Sequence, residues 1–429
     1  MKFLKIFFLF ILLFTYSNLI GDTNVKYIFL FIGDGMSVSA EFATSLYLSG
    51  TDKKLIWNSF PIQAFATTWS LSSINKSNPA GYDISSAGLL PYPYYSTDLA
   101  DKYFENTIPT DSSASATAMS TGYKIQNDSV CIDKNGKYLQ NIFDILNKDK
   151  IYNTCLITTT LFYHATPASF SSHNVSRYNY KEIANEILSV TKPEIIIGNN
   201  EYYYLNDFAK QNGYYTADSK DIKNSLPFYA PDQKLFITLS NYSVPQPEKI
   251  KNNPSFIYKD NTVNFSDMVL FTTKKLLEKK KPFISVIEQS DIDFANHDND
   301  YYSMAGSVYE LHNAVNSLVQ LIKSNQTDMN WKNTLIIVTA DHATGMLRFN
   351  KKLEKGQLPP KMIFVGKNLL KFDRSIKYKS KNHTNELVGL YAIGAKSDLF
   401  NKYIGLTYKN SQILDNTDIF KVLKEVTKK

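Results

Sequence analysis

Three apolar runs, each the length of one strand, stop on acids. Lys26–Ile32 stops at Gly33-Asp34-Gly35-Met36, Pro282–Ile287 at Glu288, and Thr334–Val338 at Thr339-Ala340-Asp341-His342. Runs so poor in polar residues suit strands buried on both faces, as in a parallel sheet. Helical patterns alternate with them, starting near Ser39 and then at Leu139–Lys148, Lys181–Val190, Ser266–Lys279 and Ser303–Lys323. In the last of these Met304, Val308, Leu311, Val315, Leu318 and Ile322 share one face, which leaves His312 as a surface or packing histidine. Further strands are expected at Tyr152–Thr158, Glu194–Ile197 and Val388–Ile393, and Asn416-Thr417-Asp418 caps a final helix at Ile419–Val426. The alternation predicts an α/β fold with a central, mostly parallel β-sheet sandwiched between helices. Ligands gather at the carboxyl ends of the strands in such folds. Acids delivered by three strands to one edge are hard to explain by packing.

The 429 residues divide into a separate start and one large domain. Lys2 and Lys5, the apolar run Ile6–Phe14 and the polar Ser17, Asn18 and Gly21 follow the order of a secretory signal, read as residues 1–21. An uncleaved anchor is the alternative. Residues 22–429 are then one domain, exported to a periplasm or the extracellular space. Within it Asn75–Asn106 reads as a surface excursion. Residues 199–264, rich in Tyr, Asn, Lys and Pro, read as a variable insertion or cap near the functional edge. The net charge of +7 is scattered, with no basic block to grip nucleic acid. Cys131 and Cys155 permit a single disulfide. Two thiols exclude an all-Cys zinc site, so His and carboxylates are left to hold any metal.

The stretch Ile108–Lys124 has the makings of an anion site. Thr110 or Asp111 caps a helix whose first turn carries Ser112 and Ser113, and Gly122 stops it. A serine there lies among free N–H groups at the positive end of the helix. The candidate ligands at the sheet edge are Asp34, Glu288, Asp293, His297, Asp341, His342 and His383. Crowded together, so many carboxylates would repel one another and raise one another's pKa; divalent cations resolve that conflict. His with Asp suits Zn²⁺, and Asp, Glu and Thr oxygens suit Mg²⁺. Asp293 and His297, four apart, reach one ion if the segment makes a helical turn.

Taken together, the segments Ile32–Met36, Thr110–Ala118, His164–Ala168 with Arg177, Glu288 to His297, Thr339–His342 and His383-Thr384 resemble the alkaline phosphatases in order and spacing. The likeness covers most of residues 25–426 and is weakest at 75–106 and 199–264. It implies Ser112 as nucleophile, with Ser113 a bystander. It implies one zinc ion on Asp293, His297 and His383, and a second on Asp34, Asp341 and His342. A third ion, usually magnesium, would bridge Asp34, Glu288 and Thr166. Arg177 would grip two phosphate oxygens as a fork. The substrates implied are small phosphate monoesters, attacked in line to give a phosphoserine, and relatives are often homodimers. Nothing implies nucleic-acid binding, or a membrane beyond the signal.

Three positions depart from the family pattern. His164 stands where many bacterial relatives carry Asp, and is read as a third-site ligand, a water-mediated neighbour or a selector for another metal. Phe294 stands where relatives often carry a Lys or His that reaches the phosphate through water. Asn199-Asn200 follow Gly198 where a glycine run is usual. Competing classes are a phosphodiesterase or nucleotide pyrophosphatase of the same superfamily and a non-catalytic phosphate-binding protein. Glu288 and Arg177 argue against the first, and the full ligand set against the second.

Overall fold

A computed structural model of the chain describes residues 25–73, 108–224, 226, 230, 232–250, 253–359, 363–365, 368–371 and 375–428. The expected signal at 1–21 and the whole of the excursion Asn75–Asn106 lie outside these residues. The first half of the chain gives β1 (Tyr27–Gly33), α1 (Val38–Ser49), β2 (Ile62–Thr67), α2 (Ser112–Thr121) and α3 (Ile142–Asp149). β3 (Asn153–Leu161), α4 (Ala165–Ser171), α5 (Tyr180–Glu186) and β4 (Ile195–Asn199) follow. Next come α6 (Tyr204–Gln211), β5 (Tyr214–Asp218), β6 (Lys234–Thr238) and the hairpin β7 (Gln246–Ile250) with β8 (Asn253–Ile257). The second half holds α7 (Phe265–Glu278), β9 (Phe283–Gln289), α8 (Asp291–His297), α9 (Tyr301–Lys323) and β10 (Thr334–Ala340). Short strands β11 (Ala343–Thr344), β12 (Leu347–Phe349), β13 (Ile363–Val365), β14 (Asn368–Lys371), β15 (Ile376–Tyr378) and β16 (His383–Thr384) precede β17 (Val388–Gly394), β18 (Ile413–Asp415) and α10 (Thr417–Val426).

Ten strands form the main sheet in the order β18-β2-β17-β10-β1-β9-β3-β4-β6-β5. All run parallel except β17, which is antiparallel to both neighbours. The central strands are buried along their whole length, as their unbroken apolar runs require. Helices α1, α7 and α9 pack together as one group, and α2, α4 and α10 as another. The registers align the strand ends: Gly33 pairs with Ala340 on one side and with Gln289 on the other, and Thr158 pairs with Glu288. Asp34, Ser290 and Asp341 are each the next residue of their strands. Parallel register thus converts a sequence pattern into one acidic edge.

Two elements differ from expectation. β2 has the alternating burial of a half-buried strand, with Ile62, Ala64 and Ala66 inward, and no strand was expected there. Within residues 199–264, read as a variable insertion or cap, two strands join the main sheet. β5 and β6 extend it beyond β4, with Leu235, Phe236 and Ile237 fully buried. The β7–β8 hairpin packs on α9 and α1. Gly306 of α9 admits this approach, because a Cβ there would lie 1.9 Å from the Pro245 carbonyl oxygen. The sequence there shows only short strand-like pieces among polar Asn, Lys and Tyr, and nothing in it marks two of them as members of the main sheet. Cys131 and Cys155 are both buried free thiols, and the Cys131 thiol donates to the Ser169 carbonyl.

Candidate functional site

Ser112 opens α2, and its cap is Asp111, whose Oδ1 accepts from the Ala114 N–H at 2.9 Å. Small residues let the whole helix be buried. Ser113 turns its hydroxyl to Asp111 Oδ2 at 2.7 Å, away from the acids, whereas Ser112 Oγ lies 3.1 Å from His342 Nε2. Asp111 also accepts from Arg177 Nη1 at 3.0 Å, so the residue that caps the helix also aims the guanidinium. Burial would raise the Asp111 pKa, but Arg177 and the hydrogen bonds to Ser113 and Ala114 outweigh it and hold the carboxyl below its ordinary value. Arg177 Nη2 reaches to 3.4 Å from His164 Nε2, and its buried Nε has no partner among the described residues. A buried donor beside a serine at a helix N-terminus suits an incoming oxyanion.

Two groups of potential ligands lie within reach of single ions. One is Asp34, Asp341 and His342; the other is Asp293, His342 and His383. His342 belongs to both. Its Nε2 lies 3.2 Å from Asp341 Oδ2 and 3.4 Å from Asp34 Oδ1. His297 stands at the rim, with Nε2 3.2 Å from Asp293 Oδ2, and His383 Nε2 lies 3.8 Å from Asp293 Oδ1. Gly35 makes this crowding possible. Its φ of 66° is left-handed, a Cβ there would lie 2.5 Å from Asp293 Oδ1, and its N–H donates to Asp341 Oδ1 at 3.0 Å.

The three imidazoles are fixed from behind. His383 Nδ1 donates to the Thr110 carbonyl at 2.9 Å and His297 Nδ1 to that of Lys381. Thr344 gives its hydroxyl hydrogen to Asp293 Oδ1, so its oxygen accepts from His342 Nδ1, 3.2 Å away. In the neutral ring each Nε2 then keeps a lone pair, and each faces carboxylate oxygens; at His297 the hydrogen bond to Asp293 raises the pKa and favours the protonated ring while no cation is bound. Tying the outer nitrogen in this way is how proteins orient histidines toward metals.

The electrostatics lead to the same requirement. Burial pushes the Asp34 carboxyl well above its ordinary value, and Asp341, Asp293 and Glu288 add to the rise. Burial lifts Asp341 to about 6 and Glu288 to about 7. It takes His342 and His383 down to about 4. Asp293 is the exception: burial raises it, but the His297 hydrogen bond and the His342 and His383 charges hold it low. Both oxygens of Asp34, Asp341 Oδ2 and Glu288 Oε1 are buried without a hydrogen-bond partner among the described residues. Buried acceptors facing only lone pairs are costly unless a cation lies among them.

Glu288 lies one strand over, beside Thr158, whose hydroxyl donates to its Oε2. The Thr166 hydroxyl lies near enough to favour the Glu288 carboxylate, yet makes no well-formed hydrogen bond. His164 stands at the N-cap position of α4 and is driven down to about 3 by burial and by Arg177, with its buried Nδ1 unpartnered among the described residues. Phe294 is 43% exposed at the rim. Thr158, Thr344 and the Thr110 and Lys381 carbonyls also build the site, and sequence reasoning missed them. Thr344, two residues after His342, follows a recognisable cluster; the carbonyls carry no residue-type signal.

A model of the alkaline phosphatase family matches residues 25–197 and 251–371. Alkaline phosphatase 4 of Bacillus subtilis (strain 168) is 31% identical over 259 residues, which are 57% of this chain and 52% of its own length. Alkaline phosphatase 3 of the same strain is 28% identical over 339 residues, 76% and 62% of the two chains. The chain thus spans about half to three-fifths of the length of these curated relatives. Among solved structures, a TAB5 alkaline phosphatase variant, with aspartate in place of a histidine and Mg bound in the M3 site, comes from an Antarctic bacterium. It matches with a TM-score of 0.65 at 18% identity, covering 94% of this chain and 98% of that one, and shares the fold.

Proposed function

This chain belongs to the alkaline phosphatase family, and we propose that it hydrolyses small phosphate monoesters through a phosphoserine on Ser112, at a centre of two zinc ions and one magnesium. The observation that carries this reading is the set of three histidines with Nδ1 tied back and Nε2 turned on carboxylates, that of His342 on oxygens of Asp34 and Asp341 that are buried without a partner among the described residues. Such a donor set fits divalent cations. Asp293, His297 and His383 are assigned one zinc, and Asp34, Asp341 and His342 the other. His342 belongs to both groups of potential ligands and would stand between ions held there. Glu288, Thr166 and Asp34 are assigned magnesium, the ion bound in the M3 site of the TAB5 variant, with His164 beside it. When bound, the divalent ions favour a serine alkoxide and a departing alcohol oxygen by charge.

The chain's own groups do the rest. Ser112 Oγ attacks phosphorus, the P–O bond to the alcohol breaks, and phosphoserine forms. Water then cleaves the Ser112 ester, returning the hydroxyl and inorganic phosphate. Arg177 offers Nε and the remaining guanidinium hydrogens to the transferring group, while Asp111 holds its orientation. The first-turn N–H groups of α2 add their dipole. Neutral imidazoles at His342 and His383 leave the Nε2 lone pairs available. The same reading exports the chain by way of residues 1–21. Among the described residues no helix is long and apolar enough to cross a membrane.

The test compares an aryl phosphate monoester with the corresponding diester, using the full chain supplied with zinc and magnesium at alkaline pH. Monoester turnover should dominate, fall at least about 10³-fold in Ser112→Ala, and vanish on chelation. Preference for the diester would move the chain to the phosphodiesterases. No turnover of either, with metals bound, would leave a phosphate-binding protein.

A further inference from the structure

Asn416 precedes α10 at a position where an Asn suits a helix cap, yet its side chain makes no capping hydrogen bond. Asp415 takes over that task, with Oδ1 accepting from the Thr417 N–H at 3.0 Å. Asn416 is fully buried and reaches across to α2 instead. Its Oδ1 accepts from Lys124 Nζ at 2.6 Å, and its Nδ2 donates to Ser115 Oγ at 2.9 Å. The two helices meet closely, because a Cβ on Gly122, where α2 stops, would lie 2.6 Å from the Phe420 ring.

The polarity of this chain of bonds is fixed from one end to the other. Lys124, held also by Asp415 Oδ2 at 3.2 Å, can only donate. The Asn416 amide must therefore turn its oxygen to the lysine and its nitrogen to Ser115. The Ser115 hydroxyl has one hydrogen, and with Asn416 filling an acceptor site that hydrogen goes to the Asp341 carbonyl, 2.5 Å away. The Lys124 side chain is 7% exposed, and Asn416, Ser115 and Asp341 are buried. Hydrogen bonds are strongest in such surroundings, and a broken one costs most.

Both ends of this relay bear on the site. Ser115 lies nearly one turn after Ser112, on the same face of α2. Ser112 Oγ lies 3.1 Å from His342 Nε2, and Ser115 holds the carbonyl of the residue just before His342. Two side chains of one helical turn thus meet two consecutive residues of the acidic edge. Reacting groups displaced by about 1 Å lose about 10²-fold in rate, so the contact that sets this spacing matters.

We propose that Asn416 is a positioning residue, which fixes, through Ser115, the distance between Ser112 and the Asp341–His342 pair of ligands. The proposal rests on the phosphatase reading for its chemistry and on the metal assignment for its zinc. It gives α10 a part in the reaction from a distance.

The experiment is a double-mutant cycle on the full chain. Asn416→Asp keeps the shape and the Lys124 contact but sets an acceptor against Ser115 Oγ, which draws the hydroxyl hydrogen away from Asp341. Zinc affinity, read by competition with a chelator, should fall about tenfold or more. With zinc saturating, kcat for an aryl phosphate monoester should fall about tenfold or more while KM holds. Ser115→Ala should reproduce both losses, and Asn416→Asp added to it should change neither further. Losses that multiply in the double variant, or an Asn416→Asp protein with the zinc affinity and kcat of the parent, would overturn the proposal. Should the parent turn over no phosphate, the phosphatase reading fails, and zinc affinity alone judges the relay by the same cycle. Should the parent bind no zinc either, hydrogen exchange of Ser112–Met119 takes its place. Faster exchange in Asn416→Asp, equalled in Ser115→Ala and not increased in the double variant, supports the relay, and exchange like that of the parent overturns it.

Discussion

Two histidines in this protein each stand between two carboxylates, and they differ in nearly every other respect. His173 lies between Asp144 and Glu186, with Nδ1 2.9 Å from Glu186 Oε1 and Nε2 3.1 Å from Asp144 Oδ2. Its backbone N–H donates to the second Glu186 oxygen, and its ring stacks on Tyr138. Burial lowers its pKa, but the two acids outweigh burial and raise it to about 9. His342 has one nitrogen tied to Thr344, and two acids crowd the other, so burial wins and takes it down to about 4. At His173 every nitrogen has its own acceptor, and the acids remain about one-quarter exposed. At His342 the acids are fully buried, and neither oxygen of Asp34 has a donor among the described residues. The first cluster is balanced and belongs to the fold. The second is balanced only once cations join it.

The largest test removes an acid from the second cluster. Asp34→Asn should cost about 10³-fold or more in monoester turnover. The metal-free variant should nevertheless melt a few degrees higher than the metal-free parent, because one buried repulsion is gone. A lower melting temperature there would break the comparison. The next effect is zinc itself. At about one hundred times its dissociation constant zinc should stabilise the parent by about 2.7 kcal/mol, retain that gain in His173→Gln, and lose most of it in Asp34→Asn. His173→Gln should in turn cost about 2 kcal/mol of stability in denaturant titrations, with turnover at 25 °C retained.

The smallest effect is one of pH. The His173 pKa is raised in the folded state from 6.5 to about 9, so protonated His173 stabilises the fold. That contribution is complete below about pH 6.5 and is lost as the pH rises through about 9. The stability gap between parent and His173→Gln should close from neutral to pH 10, measured as the shift in urea midpoint. An alkaline working range would thus lie where this pair has weakened.

Much of the edge is legible in sequence because it depends on where apolar runs stop. Asp34, Glu288 and Asp341 mark strand ends, and parallel register brings such ends level. The cap and stop of α2 are equally local, as Asp111 and Gly122 bear out. What sequence conceals is set by distant partners. Nothing in Lys381 or Thr110 announces that its carbonyl will hold a histidine. His173 gave no sign of its charge, because Asp144 and Glu186 reach it only after α3 and α5 pack. β5 and β6 lay within polar, irregular surroundings, and their burial depends on the neighbouring β4. Phe294 was visible as a departure, while the link from Asn416 to Ser115 needed α2 and α10 to pack before it could be seen.

One feature of the sheet bears on time. His383 arrives just ahead of β17, the single reversed strand, whose starting end therefore lies at the same edge as the finishing ends of its neighbours. The other candidate ligands run back to Asp34, near the start of the described chain. A centre gathered from such distant segments closes late, because the loop entropy between them has to be overcome first. A growing or partly folded chain consequently carries a sheet before it carries a site. On the proposed reading, hydrolysis would begin only when β17 has docked, so the chemistry would serve as a clock for the assembly of the sheet.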